Sequence, residues 1–402
     1  MPIIEIISLV LGVLVTISLC LWIGLGYRLW TMNRMKPVIR EGLALPNPTS
    51  ATVSIVVPAH NEERVIDRCA ISLRKQTHQN LQIIFVLDRC TDSTLEIIKK
   101  HAAEDERICI IENEACPDGW AGKCNAARIG ASKATGEWLL FTDADTMFDK
   151  ELVRCAVASA IHRGASLLSL LSSLTITKNF ERIVQPIAST LLVRQYPIDR
   201  VNREERPRPF ANGQFLLFNR KTYQDIGGHD VVKEHLLEDI AFARHLCSNG
   251  LGKVQVLFAD GMLQCSMYAT FSAFQAGWKR IYIEAASKNI KSLRKSAILA
   301  LIVGVLFPIA GTAGIFVGMQ VSPLLFWTSI ASLISAFGVI AWLYRINNAP
   351  IMFALFAPIG AAVVAKIFFN AAFTLKHRIP IRWGGKEYIL EPKNNENSTN
   401  KR

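Results

Sequence analysis

The sequence predicts an α/β protein, a Rossmann-like globular domain with one apolar helix before it and two to three after it. Three observations predict this. Apolar, β-branched runs alternate with amphipathic segments between Thr52 and Phe141. Two stretches without a charged residue, from Glu5 to Arg28 and from Lys295 to Arg345, flank the middle of the chain. Acidic residues stand where apolar runs stop, at Asp88, Asp143 and Asp145.

The first charge-free stretch matches one helical crossing, since a bilayer core takes roughly 20 apolar residues. It starts beside acidic Glu5 and no small-residue cleavage pattern follows, so residues 3–27 read as an uncleaved anchor and not a signal peptide. Residues 52–58 form a continuous apolar run, the mark of a central parallel strand covered on both faces. A helix follows over residues 62–76, with Ile66, Cys69, Ala70 and Leu73 on one face. Residues 81–87 and 108–112 are further strands, separated by a helix over 93–103. Residues 122–134 are helical and 138–141 make a fourth strand. Such alternation implies right-handed crossovers in a parallel sheet, whose ligands sit beyond the carboxyl ends of the strands. The pattern over residues 151–260 is mixed, with strands near 166–175 and 214–219 and a helix over 238–248. The globular domain is therefore placed at residues 50–265.

Beyond it, Phe271, Phe274, Trp278, Ile281 and Ala285 recur at three- and four-residue spacing, interrupted by Lys279, Arg280, Lys288 and Lys291. Residues 266–295 read as an amphipathic helix in the membrane interface, although a core-facing helix shows the same periodicity. Residues 296–375 hold two crossings that meet at a turn over 319–323, and a third candidate at 351–373 broken only by Lys366. A basic tail, 376–402, closes the chain and is expected to be disordered after Glu391.

The formal charge is +12, yet only 19% of residues are charged and half are hydrophobic. Arg28, Arg34, Lys36 and Arg40 follow the first apolar stretch, and Lys288, Lys291, Arg294 and Lys295 precede the second. Basic residues flanking membrane helices mark the cytoplasmic side. No nucleic-acid motif is present, so the charge points to a membrane and not to nucleic acid. The nine cysteines form no CxxC pair, as expected of reduced thiols in a cytosolic domain. The reading is a multi-pass protein of the inner membrane with its globular domain in the cytoplasm; no oligomeric state is implied. Three C-terminal crossings conflict with this, because they put the tail outside while Lys376, Arg378, Arg382 and Lys386 prefer the inside. Either one apolar segment is re-entrant or the charge rule is broken.

The chemistry lies in the acidic residues. A lone Asp at a strand end, such as Asp88, is commonly a turn residue. Asp143 and Asp145 are harder to dismiss: in strand geometry they share a face, and carboxylates forced together call for a cation. Mg²⁺ or Mn²⁺, bound by one or two carboxylates and substrate phosphates, is the expected partner. A metal-bound diphosphate is a good leaving group, so a single general base can complete the reaction, unlike glycoside hydrolysis with its two carboxylates. Asp239 is the candidate base and Glu238 a supporting group, although both also suit a helix N-terminus electrostatically.

Residues 53–63 (VSIVVPAHNEE), 87–94 (LDRCTDST), 119–123 (GWAGK) and 141–145 (FTDAD) together resemble the family 2 glycosyltransferases. Residues 211–223 (ANGQFLLFNRKTY), 226–229 (IGGH) and 237–240 (LEDI) extend the likeness. It is nearest the membrane-bound branch acting on ceramide, hopanoid or carotenoid acceptors. The resemblance implies a GT-A type nucleotide-diphospho-sugar transferase fold, inverting chemistry and a divalent metal. It places Pro58, Ala59 and Glu62 along the nucleotide and Asp88 on its base or ribose. Lys123 falls on donor phosphate, Asp143 on nucleotide or sugar, and Asp145 on the metal. Gly213 and Gln214 border the acceptor, and Asp239 is the base. In isolation Lys123 reads as an ordinary solvated lysine.

One departure stands out. Polymer-making and ceramide-acting members carry Q/R-x-x-R-W after the base, where this chain has FQAGWKR at 274–280. Trp278 is assigned to stack on an acceptor and Arg280 to meet diphosphate, with interfacial anchoring as the alternative for both. A second short motif, RWGGKEY at 382–388, resembles a tail motif of the hopanoid-associated branch. The expectation is a nonprocessive transferase moving a sugar from a nucleotide-sugar donor, a UDP-sugar by resemblance, to a lipid hydroxyl. The alternatives are transfer to a polyprenyl phosphate and, more remotely, a processive polysaccharide synthase.

Overall fold

The computed structural model describes residues 3–203, 205 and 208–393. Of the tail expected to be disordered after Glu391, residues 394–402 lie outside the described residues, and the Lys393 amide bonds the Lys288 carbonyl at 3.0 Å. After the N-terminal helix α1 (Ile3–Met35), strands β1 (Val53–Ala59), β2 (Leu81–Asp88), β3 (Ile108–Asn113) and β4 (Trp138–Phe141) lie parallel in the order 3-2-1-4. Helices α2 (Ile66–Arg74), α3 (Thr94–Glu104) and α4 (Gly122–Lys133) connect them. Val53, Ile55 and Val57 of β1 face one core with Ile66 and Leu73, while Val56 faces the other with Ala126 and Phe242. This is the two-sided burial that the apolar runs require. Helix α2 starts later than expected. The amides of Val65 and Ile66 both bond the Glu62 carbonyl, so residues 62–65 form a turn instead.

The next stretch comprises β5 (Thr146–Phe148), α5 (Leu152–Arg163), β6 (Leu167–Leu171), β7 (Ser173–Leu174), α6 (Asn179–Gln195) and α7 (Ile198–Val201). Then follow β8 (Leu216–Asn219), α8 (Arg220–Asp225), α9 (Glu238–Asn249), β9 (Val254–Phe258) and β10 (Leu263–Cys265). Here the parallel pattern breaks, because β8 runs antiparallel to both β4 and β6. The main sheet is mixed, in the order 3-2-1-4-8-6-9. A small sheet, β5-β10-β7, sits beside its carboxyl edge and pairs Cys265 with Thr146.

Helices α10 (Phe271–Ala285), α11 (Ile290–Leu301), α12 (Phe307–Val321), α13 (Pro323–Ile346) and α14 (Ala357–Lys376) follow. A π-helical turn, Ile302–Leu306, joins α11 to α12 without a break. Four segments are long and apolar enough to cross a membrane: Ile3–Met35, Ile290–Val321, Pro323–Ile346 and Ile351–Lys376. Of these, α1, α12 and α13 pack on one another, with Ser18 and Ser332 hydroxyls 2.9 Å apart between two of them.

Helix α14 behaves differently. It packs against α6, α10 and the first half of the long α11–α12 helix, and Phe368 stacks on Tyr282 at 3.9 Å. Just before it, Phe353 lies under Arg182 of α6. Just after it, the hairpin β11 (Ile381–Trp383) and β12 (Lys386–Tyr388) returns to the end of β2, where Arg89 donates to the Gly384 carbonyl at 3.1 Å. Both ends of α14 therefore meet the globular domain, and the chain after it lies on that domain's side. The aromatic stripe of α10 also turns inward: Phe274, Trp278 and Tyr282 are at most 2% exposed.

Candidate active site

Each strand of the parallel half delivers a polar group at its carboxyl end. Strand β1 ends at Pro58 and Ala59, with Glu62 in the turn beyond. Strand β2 ends at Asp88, whose carboxylate takes Arg89 Nη2 and Asn113 Nδ2, each at 2.6 Å. The Asp88 carbonyl lies 2.6 Å from His60 Nδ1, which makes that nitrogen the donor. Helix α4 then starts against this cluster. A Cβ on Gly122 would stand 2.8 Å from the Arg89 guanidinium and 3.1 Å from the Asp88 carboxylate, so only glycine allows this approach.

The following residue ties the site together. Lys123 is no solvated lysine: its ammonium reaches Asp143 at 2.7 Å and Glu238 at 2.5 Å. Burial works against its charge, but the two carboxylates outweigh burial and hold its pKa up. Lys123 thereby joins the end of β4 to the start of α9.

Asp143 and Asp145 do not share a strand face as expected. Strand β4 stops at Phe141, and the two carboxylates sit in a turn closed by a bond from the Thr146 amide to the Asp143 carbonyl. The turn sends Asp143 to Lys123 and Asp145 inward beside Cys265. Burial first, and then the Asp143 charge, push Asp145 up to about 7. Its Oδ1 is buried without a hydrogen-bond partner. Glu62 is pushed up to about 8 by burial and by Asp145, Asp143 and Asp92. A buried, unpartnered carboxylate oxygen among like charges could hold a cation. Among the described residues no three His, Cys, Asp or Glu side chains converge as a complete ligand set. A cation here would thus need further ligands from a substrate.

On the other side of Lys123, Glu238 and Asp239 open α9, so they carry helix N-terminal charge and also face the site. The Gly213 amide donates to Asp239 Oδ2 at 2.6 Å. Burial and the Glu238 charge push Asp239 up to about 7 against the pull of Lys123. A Cβ on Gly213 would stand 3.1 Å from Lys123 Nζ and 3.2 Å from Asp239 Oδ2. Gln214 is held by Ser172, Asn212 and Cys265.

Gln214 also lines a cavity of about 1400 Å³ between the globular domain and the apolar helices. Leu25, Ile187, Val303 and Leu343 contribute apolar wall, and Trp278 lies on it as well. Arg28, Lys36 and Arg194 line it too. Arg280 lies elsewhere, with its guanidinium 4.1 Å from the Trp383 ring centroid.

The structure thus gathers Lys123, Asp143, Asp145, Glu238, Asp239 and Gly213 around one centre, with Asp88 one residue away through Gly122. Trp278 and Arg280 are split between the cavity and the hairpin. Sequence reading missed Arg89 and Asn113. Arg89 stood next to a chosen residue inside a quoted motif, which was a usable signal; Asn113 carried none.

A mixed α/β sheet with carboxylates and a half-buried lysine converging at its strand ends defines the GT-A type of nucleotide-sugar transferase domain. Residues 54–227 match the family model described as glycosyl transferase family 2, and this domain of the chain belongs to that family. The chain is 23% identical over 245 residues to the 4,4'-diaponeurosporenoate glycosyltransferase of Staphylococcus haemolyticus, covering 60% of this chain and 63% of that one. It is 34% identical over 115 residues to the dolichyl-phosphate beta-glucosyltransferase of Drosophila melanogaster, covering 25% and 33%. Against such curated relatives the match spans between 14% and 63% of their length. A solved structure, the mannosyltransferase PcManGT from Pyrobaculum calidifontis in complex with GDP-Man and Mn²⁺, is 16% identical, with TM-score 0.48 over 90% of this chain and 98% of that one.

Proposed function

We propose that this protein is an inverting, nonprocessive glycosyltransferase that moves a sugar from a nucleotide-diphospho-sugar, by resemblance a UDP-sugar, onto a lipid hydroxyl at the cytoplasmic face of the inner membrane. The cavity carries the reading. It runs from among the apolar helices to Gln214, whose neighbour Gly213 bonds Asp239. A lipid lying there presents its polar end to the one side of the site that the donor leaves free.

The residues divide the work. Pro58, Ala59 and Asp88 hold the nucleoside, and Lys123 faces the phosphates. Asp145, beside Asp143, would hold a divalent cation, Mg²⁺ or Mn²⁺, which when bound would supply neutralising charge to the diphosphate leaving group. Asp239 takes the proton from the acceptor hydroxyl. The acceptor oxygen bonds the anomeric carbon as that carbon's bond to phosphate breaks, and the nucleoside diphosphate leaves with the electron pair. Gly213 keeps Asp239 oriented through its amide, a role worth orders of magnitude in rate when lost. The like-charged, buried pair Glu238 and Asp239 keeps the base poised near neutrality.

The packing of α14 supports the cytoplasmic reading of the domain. With α1, α12 and α13 crossing and α14 lying against the domain, the hairpin and the domain share the cytoplasmic side, which satisfies the basic tail residues.

A second reading has support of its own. Arg28, Lys36 and Arg194 on the cavity wall favour an acceptor bearing an anionic group, such as a polyprenyl phosphate. Diaponeurosporenoate and dolichyl phosphate, named for two relatives, are both lipids with such a group.

Membranes containing the protein, incubated with a panel of labelled nucleotide sugars and then extracted, test the proposal. Label in a discrete lipid that is lost in Asp239→Asn supports transfer to a hydroxyl. Label in a lipid phosphate that persists in Asp239→Asn supports the second reading. Label only in polymer, or in no lipid at all, refutes both.

A further inference from the structure

The hairpin Ile381–Tyr388 arrives after every apolar helix, yet it touches the donor side of the site from end to end. Its turn, Trp383-Gly384-Gly385-Lys386, has φ of +54° and +74° at the two glycines, the conformation of a tight two-residue hairpin turn. Glycine is needed at Gly385 for a second reason: a Cβ there would stand 3.1 Å from His60 Nε2. The Gly384 carbonyl accepts from Arg89, the partner of Asp88. Tyr388 Oη accepts from the Gly122 amide at 3.4 Å. Lys386 donates to the carbonyls of Cys116 and Pro117 at 3.2 Å. The nucleoside end is thus closed by backbone and chain-end contacts.

At the other end Trp383 lies over the face of Arg280 at 4.1 Å. Stacking occupies the face of a guanidinium and leaves the N–H groups in its plane free for a forked contact with oxyanions. That is the observed state: Arg280 Nε and Nη1 are buried without partners. So is the Tyr268 hydroxyl, whose environment includes the charges of Arg280, Asp145 and Asp143. So too is Asp145 Oδ1. Unpartnered donors beside an unpartnered carboxylate oxygen complement a diphosphate and its cation. A plug would consume these groups. The hairpin leaves them unpaired.

We propose that the C-terminal hairpin is the outer wall of the donor site, and that Trp383 is a positioning residue that presents Arg280 to the diphosphate of a nucleoside diphosphate. This rests on the nucleotide-sugar reading above. The donor pocket is then completed only by the segment that follows α14, so donor binding depends on assembly of the membrane helices.

The test uses the full-length protein in detergent with MnCl₂ and measures affinity for UDP, UMP and uridine, with GDP, GMP and guanosine as the parallel set. Trp383→Ala is expected to weaken the preferred nucleoside diphosphate by about tenfold, a loss within the range of a cation–π contact. The nucleoside itself should bind unchanged, and Trp383→Phe should restore most of the loss. Arg280→Ala should show the same selective loss, and the double variant should be no worse than either single one. Ending the chain at Pro380 should weaken diphosphate and nucleoside alike. Equal weakening of all ligands by Trp383→Ala, no weakening, or tighter binding by the shortened chain would each overturn the proposal. If the unaltered protein binds neither UDP nor GDP, the nucleotide-sugar reading falls first and takes this one with it.

Discussion

The Gly213 amide donates to the Asp239 carboxylate at 2.6 Å, and this contact aims a carboxylate that shares Gly213 as a neighbour with Lys123 and stands, through Gly213, next to the cavity-lining Gln214. It accepts a proton only when ionised. Its pKa is raised to about 7, chiefly by burial and then by Glu238. Activity on a hydroxyl acceptor should therefore rise as pH increases through about 7 and flatten above it. Asp239→Asn should lower kcat by roughly 10²–10⁴-fold, the usual contribution of a general base, and abolish that pH step. Rate against pH for both proteins, at saturating donor, checks this.

Gly213→Ala tests the aim separately from the base. The new Cβ would stand 3.1 Å from Lys123 Nζ and 3.2 Å from Asp239 Oδ2, so one of them must move. A displacement of about 1 Å at a reacting group costs on the order of 10²-fold in rate. The expected result is a fall in kcat of that size with donor KM nearly unchanged, read from steady-state kinetics.

Lys123 neutralises two carboxylates at once, so its loss has a structural cost. Lys123→Met leaves Glu238, which is nearly fully buried, without its cation. Breaking a buried pair in this way costs about 3–5 kcal/mol. Thermal unfolding should show a large drop for Lys123→Met and a partial recovery for Lys123→Met combined with Glu238→Gln. Neither variant should bind donor normally.

How much of this was legible beforehand varies by element, for physical reasons. Strands β1 to β4 were readable because they are buried on both faces and leave continuous apolar runs. Helix α5 was not, because it is buried nearly all round and shows no stripe. Helix α6 carries Pro186 in its interior, which argues locally against a helix. The carboxylates of the site were found because strand ends are where such sheets bind ligands, but the turn separating Asp143 from Asp145 was misread as strand. The contact of Arg89 with Gly384 joins residues 295 positions apart, and no local pattern encodes it.

Asp145 should trade stability for function. Its carboxyl is raised from 3.8 to about 7 in the folded protein, so the stabilisation from its protonated form is fully present below pH 3.8 and is lost progressively as pH rises to about 7. Asp145→Asn removes that loss. At pH 8 without metal the variant should be more stable, by about 0.5–2 kcal/mol, the usual gain when a functional strain is relieved. Below pH 3.8, where Asp145 is protonated folded and unfolded alike, the two proteins should melt together. Mn²⁺ with UDP should raise the melting temperature of the unaltered protein at pH 8 and leave Asp145→Asn where it was.

The cavity makes the last prediction, because it separates acceptor from donor. Leu25 lines it from α1, far from the strand ends that hold the nucleotide. Leu25→Trp adds an indole to an apolar wall in which a lipid chain must lie. Most of a lipid's binding comes from buried apolar surface, roughly 0.8 kcal/mol per CH₂. Displacing two methylenes therefore costs about 1.6 kcal/mol by that measure, or more than tenfold in affinity. Acceptor KM should rise by about that factor, while UDP affinity and the slow hydrolysis of donor by water stay the same. An acceptor with a shortened chain should be nearly indifferent to the substitution. Should donor binding fall in step with acceptor binding, the cavity is not where the lipid lies.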